Sequence, residues 1–93
     1  MGKSTTQINF EKAKMAVRII AEHVSNTDNI QVYIVKEFFR AYHNDEIDLA
    51  YQIVNEAFNN SLIAGYKYLE CCKICKVKGE FYEMAISNPL VNL

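Results

Sequence analysis

Turn-forming residues are almost missing from this chain: glycine occurs only at Gly2, Gly65 and Gly79, and proline only at Pro89. A β-sandwich or barrel needs a turn signal about every ten residues, most often built on such residues. Their scarcity disfavours those folds and favours helices. Long apolar runs are missing too, since Lys, Arg, Glu or Asp interrupts each one well short of the roughly 20 residues that span a membrane. The expectation is a soluble chain with no membrane partner. Charge of one sign is also lacking: ten basic residues stand against eleven acidic ones, a formal net charge of −1. Such a chain has no excess positive field to draw it onto nucleic acid or an anionic bilayer, which disfavours both.

Cysteine is sparse and odd in number, confined to Cys71, Cys72 and Cys75, and the opening Met1 to Thr6 has no signal-peptide pattern. A reducing, cytoplasmic setting fits this best. What the chain does have is apolar material: 51% of its 93 residues. That is enough for one domain with one core and too little for two that fold alone. Residues 1–93 are therefore expected to form a single helical domain, with 1–6 a flexible lead and 87–93 a tail.

The first segment carries Phe10, Ala13, Val17, Ile20, Ala21 and Val24 at steps of three and four, with Glu11, Lys12, Lys14, Arg18 and Glu22 on the other side. This pattern predicts an amphipathic helix that stops around Ser25-Asn26, with Thr27 or Asp28 capping the next. The second segment, Ile30 to Tyr42, is apolar almost all round. Gln31 to Val35 has strand propensity, but Phe38 and Tyr42 continue at helical spacing, so a helix is expected, central in the fold or covered by a second chain. Asn44, Asp45, Glu46 and Asp48 predict the capped, acidic start of a third helix, whose buried stripe would be Ile47, Ala50, Val54, Ala57 and Phe58. Asn59-Asn60-Ser61 should end it, with Ser61 capping a fourth helix that runs from Leu62 through Tyr66, Leu69, Cys72 and Cys75 to about Val77. Lys73, Lys76 and Lys78 suit its C-terminal end, and Gly79 suits the position just beyond it. A short last helix from Glu80 to about Ile86 is predicted ahead of Pro89. The fold class is all-α: a compact bundle of four to five helices.

None of the reactive-looking residues forms a strong catalytic or metal-binding signature. Cys72-x-x-Cys75 has the spacing of a zinc or thiol-exchange pair, but it falls late in a helix, where the dipole raises a thiol pKa. Core filling is the better account. His23 and His43 sit at helix ends, where a cationic side chain is favourable for structural reasons. The acids at 45, 46 and 48 lack the alternation and central glycine of a calcium loop. Gly2-Lys3-Ser4 lacks the strand and upstream glycine of a phosphate loop. No catalytic residue, metal or cofactor is therefore assigned, and the chain is not read as an enzyme. The basic residues are spread singly, and no helix has the basic tip of a DNA-recognition helix.

What remains is a surplus of rings, more than so small a bundle can hide. Tyrosine suits interfaces because its ring buries while its hydroxyl finds a partner. Tyr33, Phe39, Tyr42, Tyr66, Tyr68 and Tyr82 are accordingly the candidate partner-binding residues.

Two segments look alike at a spacing of about 35 residues: Asn44-Asp45-Glu46-Ile47-Asp48-Leu49-Ala50 and Gly79-Glu80-Phe81-Tyr82-Glu83-Met84-Ala85. Tyr66 to Cys72, running through Lys78-Gly79-Glu80-Phe81, resembles the first helix and turn of a tetratricopeptide-type repeat, with Cys72 at the usual small-residue position and Tyr68 in place of the usual tryptophan. Degenerate repeats of this kind occur in peptide-sensing regulators of Gram-positive bacteria and their phages. The resemblance covers about half of the chain and implies repeat-like helical hairpins. A plain antiparallel bundle with short polar turns produces similar joints and stays open beside it. Function is read as a small helical interaction module, a regulator or inhibitor of phage or mobile-element type that binds another protein and forms a homo-oligomer. The alternative is a DNA-binding transcriptional regulator.

Overall fold

A computed structural model describes residues 2, 4–24 and 27–78 of the chain. These residues hold four helices and no strand: α1 (Thr5–His23), α2 (Thr27–His43), α3 (Ile47–Asn59) and α4 (Gly65–Lys76). The all-α class is thus established. The sites of the predicted fifth helix, of Gly79, of Tyr82 and of the tail 87–93 lie outside the described residues, as do Ser25 and Asn26.

The first helix starts earlier than its apolar stripe suggests. Ser4 is extended, and its side chain accepts a hydrogen bond from the Gln7 amide at 3.1 Å, satisfying one of the unpaired donors at the helix start. Thr5 and Thr6 are therefore helical, within the segment expected to be a flexible lead. The Gln31–Val35 stretch is helical as well, as Ile30, Ile34, Phe38 and Ala41 line up on one face and bury together.

The central helix is α3, which overturns the first of the two expectations for α2, that it is central in the fold. Ala50, Tyr51, Gln52, Ile53 and Val54 are all buried. Five successive helical residues point in every direction around the axis, so α3 is enclosed on all sides along this stretch. It packs against α1, α2 and α4 alike. Two features permit this. Ala50 and Ala57 are small and wholly buried, which lets neighbouring helices approach closely. Gln52, the one polar residue in the buried stretch, has its Nε2 donate to Asp48 Oδ1 at 2.8 Å and to the Thr6 carbonyl at 3.3 Å, fastening α3 to the first turn of α1. The second helix, by contrast, leaves Val32 and Tyr33 in solvent despite its apolar sequence.

Two joints of one design connect α2 to α3 and α3 to α4. At the first, Asp45 is left-handed (φ 60°), its amide donates to the Tyr42 carbonyl at 3.1 Å, and the Glu46 amide donates to the Ala41 carbonyl at 2.9 Å. At the second, Ser61 is left-handed (φ 61°), its amide donates to Phe58 at 3.0 Å, and the Leu62 amide donates to Ala57 at 2.8 Å. Both are Schellman closures, in which a left-handed residue lets two amides satisfy the last carbonyls of the helix. The sequences match: Ala41-Tyr42-His43-Asn44-Asp45 and, sixteen residues on, Ala57-Phe58-Asn59-Asn60-Ser61.

Asn44 and Ser61 consequently serve the helix before them, which corrects the expectation that each caps the helix after it. The position ahead of α3 is Glu46, and that ahead of α4 is Ala64, neither with a side-chain cap bond of its own. The α4 start is met from across the fold: Gln31 Oε1 accepts from the Ala64 amide at 2.9 Å. Asp48 does occupy the first turn of α3, where a carboxylate is favourable.

Candidate interaction surface

The rings divide into three groups according to the helix face that carries them. On α2 the core stripe places Tyr33 outward, next to Val32, and Lys36 one turn on sets its ammonium 5.5 Å from the Tyr33 ring centroid. On α4, Tyr66 is 64% exposed, with the Lys67 ammonium 5.8 Å from its ring. The Gln31–Ala64 hydrogen bond joins α2 to the start of α4, while Tyr33, two residues beyond Gln31, points about 200° around the helix from it. The result is two exposed rings on different helices, each with an ammonium group beside it. Such rings suit a partner that offers apolar or aromatic side chains within an acidic rim.

The second group sits at the far end of α2 and is largely spent on internal contacts. Phe38 is fully buried, Phe39 meets it edge-on at 5.0 Å, and Tyr42 stacks on it at 6.0 Å. His43 stacks on Phe39 at 5.8 Å, so this histidine extends an aromatic cluster. Lys78 closes over the outside: its ammonium is 4.5 Å from the Tyr42 ring centroid and 2.9 Å from Asp45 Oδ1. The bond to Asp45 raises the pKa of Lys78 and ties the end of α4 to the first joint. Phe39 and Tyr42 remain half-buried, with only part of each ring available to a partner.

The third group is internal. Tyr68 has no exposed surface; its ring stacks on Phe58 at 4.6 Å, and its hydroxyl donates to Asn55 Oδ1 at 2.9 Å, with the Tyr51 hydroxyl 3.5 Å away. Burial, reinforced by Tyr51, pushes its pKa upward. Tyr68 is therefore a core residue that satisfies its own polar tip, in place of the partner-facing ring expected of it. Of the six candidates, the structure exposes Tyr33 on α2 and Tyr66 on α4, groups Phe39 with Tyr42 at the far end of α2, and buries Tyr68.

The cysteines face the same interior. Burial raises Cys71 to a pKa of about 11 and Cys72 and Cys75 to about 12, so all three are thiols at neutral pH. The thiolate is the nucleophile and the metal ligand, and here it is suppressed by desolvation. Among the described residues no group of three or more His, Cys, Asp or Glu side chains is placed to hold a metal ion, and no helix there is long and apolar enough to cross a membrane.

Sequence reasoning missed a second apolar surface. Phe10, assigned above to the buried stripe of α1, is exposed, with Lys14 5.4 Å from its ring, and Ala21 is exposed too. On the opposite side of α1, Ile8, Met15 and Ile19 form an outward stripe, 40%, 48% and 46% exposed. The signal was legible as a second 7–4 spacing running against the core stripe. No protein-family model, curated protein or solved structure matches this chain.

Proposed function

We propose that the chain is a small helical protein-interaction module, a regulator or inhibitor that binds another protein through its exposed rings Tyr33 and Tyr66. The observation that carries this reading is a division among the tyrosines. Tyr51 and Tyr68 are buried, whereas Tyr33 and Tyr66 stand in solvent with a lysine alongside each ring. Aromatic rings held at low entropy cost on a helical scaffold are the usual anchors of a protein interface. Lys36 and Lys67 favour a partner with an acidic rim, since complementary charge speeds encounter and fixes orientation. We take the setting to be cytoplasmic, on the strength of the three thiols, and the source to be of phage or mobile-element type, on the repeat resemblance alone.

A DNA-binding reading has less support. Lys36, Lys67 and Lys78 lie against tyrosine rings, and Arg40 pairs with Glu37. Arg40 and Lys78 are partly neutralised by Glu37 and Asp45, which weakens any pull on a phosphate backbone.

The test is affinity capture with the wild-type chain and with the Tyr33→Ala/Tyr66→Ala double variant, after thermal melts have shown both to be folded. A protein retained by the wild type should be retained about tenfold less by the variant, in line with the loss of two aromatic anchors. Equal retention by both would remove the two rings from the account. Salt-sensitive retention on DNA would favour the alternative.

A further inference from the structure

We propose that the outward face of α1 is a self-association surface, on which a second copy of the chain lays its own α1 in antiparallel alignment. The helix is apolar on two opposite sides. Ala13 and Val17 face α3 and the core, while Ile8, Met15 and Ile19 project about half a turn away, a separation set by 3.6 residues per turn. Steps of seven and four, with Lys12 filling the intermediate position, are the spacing of a two-helix seam. Lys12 and Ala16 border the shallow trough along it.

The charges beside the stripe select the occupant and its direction. Glu11 and Arg18 lie on one flank, seven residues apart, with Glu22 beside them, and Asn9, Ala16 and His23 lie on the other. When two such helices run antiparallel, identical flanks meet. Setting Ile8 opposite the partner's Ile19 then brings Glu11 to the partner's Arg18 and, by the two-fold symmetry, Arg18 to the partner's Glu11. In the same alignment Lys12 lays its aliphatic stem against the partner's Met15. A parallel arrangement joins unlike flanks and sets Glu11 against Ala16 and Arg18 against His23, with no ion pair. The sequence of this one helix is therefore self-complementary in the antiparallel sense only. Arg18 already lies along the seam: its Nη2 is 3.0 Å from Met15 Sδ, and its link to Glu22 is a loose 3.9 Å between exposed groups.

The surface is small, three large apolar side chains per copy, so the dimer is reversible and fills at high protein concentration. It uses neither Tyr33 nor Tyr66. The two surfaces therefore stand or fall separately.

Sedimentation equilibrium of the full chain, from micromolar to near-millimolar concentration, tests the proposal. The wild type should move from monomer to dimer. Met15→Lys should stay monomeric while its melting curve matches the wild type. Glu11→Arg should weaken dimerisation about tenfold by setting like charges together, and Glu11→Arg/Arg18→Glu should restore it to within about threefold of the wild type. A monomer at every concentration overturns the proposal. A dimer that Met15→Lys leaves intact overturns it as well. A dimer lost on Glu11→Arg and not restored by the charge swap overturns the antiparallel alignment. The Tyr33→Ala/Tyr66→Ala variant should dimerise as the wild type does.

Discussion

The first and third helices both carry an apolar stripe, yet they do opposite things with it. The third, thirteen residues long, buries six of them, whereas the first, at nineteen residues, buries only Ala13 and Val17. The difference comes from what stands beside the stripe. On α3, Tyr51 and Ile53 pack and Gln52 donates through Nε2 to Asp48 and Thr6, so other helices close over every side. On α1 the flanks are lysine, arginine and glutamate, whose charged ends must stay in water. The lesson is that periodicity identifies a preferred face, while the residues next to that face decide how far burial spreads around the axis.

The strongest way to break this comparison is to attack the packing around α3. Tyr68→Ala removes the ring stacked on Phe58 and the donor to Asn55, and it should cost about 3–5 kcal/mol by urea denaturation, as truncation of a large core aromatic does. A loss under about 1 kcal/mol would show that the α3–α4 contact is loose.

The buried thiols beside α3 give the second test. In the unfolded chain these cysteines ionise near 9, and in the folded chain only near 11 to 12. Within that window the unfolded state holds fewer protons than the folded one, so stability is fully present below about pH 9 and falls as pH climbs toward 12. Urea midpoints in reductant, taken from about pH 7 to about pH 10, should be flat at first and then decline.

At the end of α3, Ser61 adopts a left-handed conformation that glycine accepts without strain. Ser61→Gly should raise stability by about 0.5–1 kcal/mol, read as a higher melting temperature. Asp45→Gly should gain less, because Lys78 then loses its carboxylate partner. The smallest effect belongs to α1: Met15→Lys should change stability by no more than about 0.5 kcal/mol, because its side chain already faces solvent.

Much of the fold was legible in the sequence. The segments that became α1 to α4, the absence of strands among the described residues and the positions of the joints follow from apolar spacing, from Asn, Asp and Ser clusters, and from the scarcity of glycine. The direction in which those clusters act was not legible, since Asn, Asp and Ser favour both the start of a helix and a left-handed residue at its end. The matched pair Ala41–Asp45 and Ala57–Ser61 was the signal that separates the two. Which helix is central was also hidden: the segment Ile30 to Tyr42 is apolar almost all round, but Val32 falls opposite its core stripe and Tyr33 beside it. For the surface, Tyr33 and Tyr66 were legible as exposed rings, whereas Tyr68 was not separable from them, because its burial depends on Phe58 and Asn55 from another helix.

The contrast between α1 and α3 is tested most directly by amide hydrogen exchange, measured on the full chain in dilute and in concentrated solution. The amides of Ala50 to Ala57 should exchange only through global unfolding and be equally slow in both. Those around Met15 should exchange faster when dilute and gain protection when concentrated, as the outward stripe pairs. Protection on α1 that already matches α3 in dilute solution, and does not change with concentration, would contradict the account.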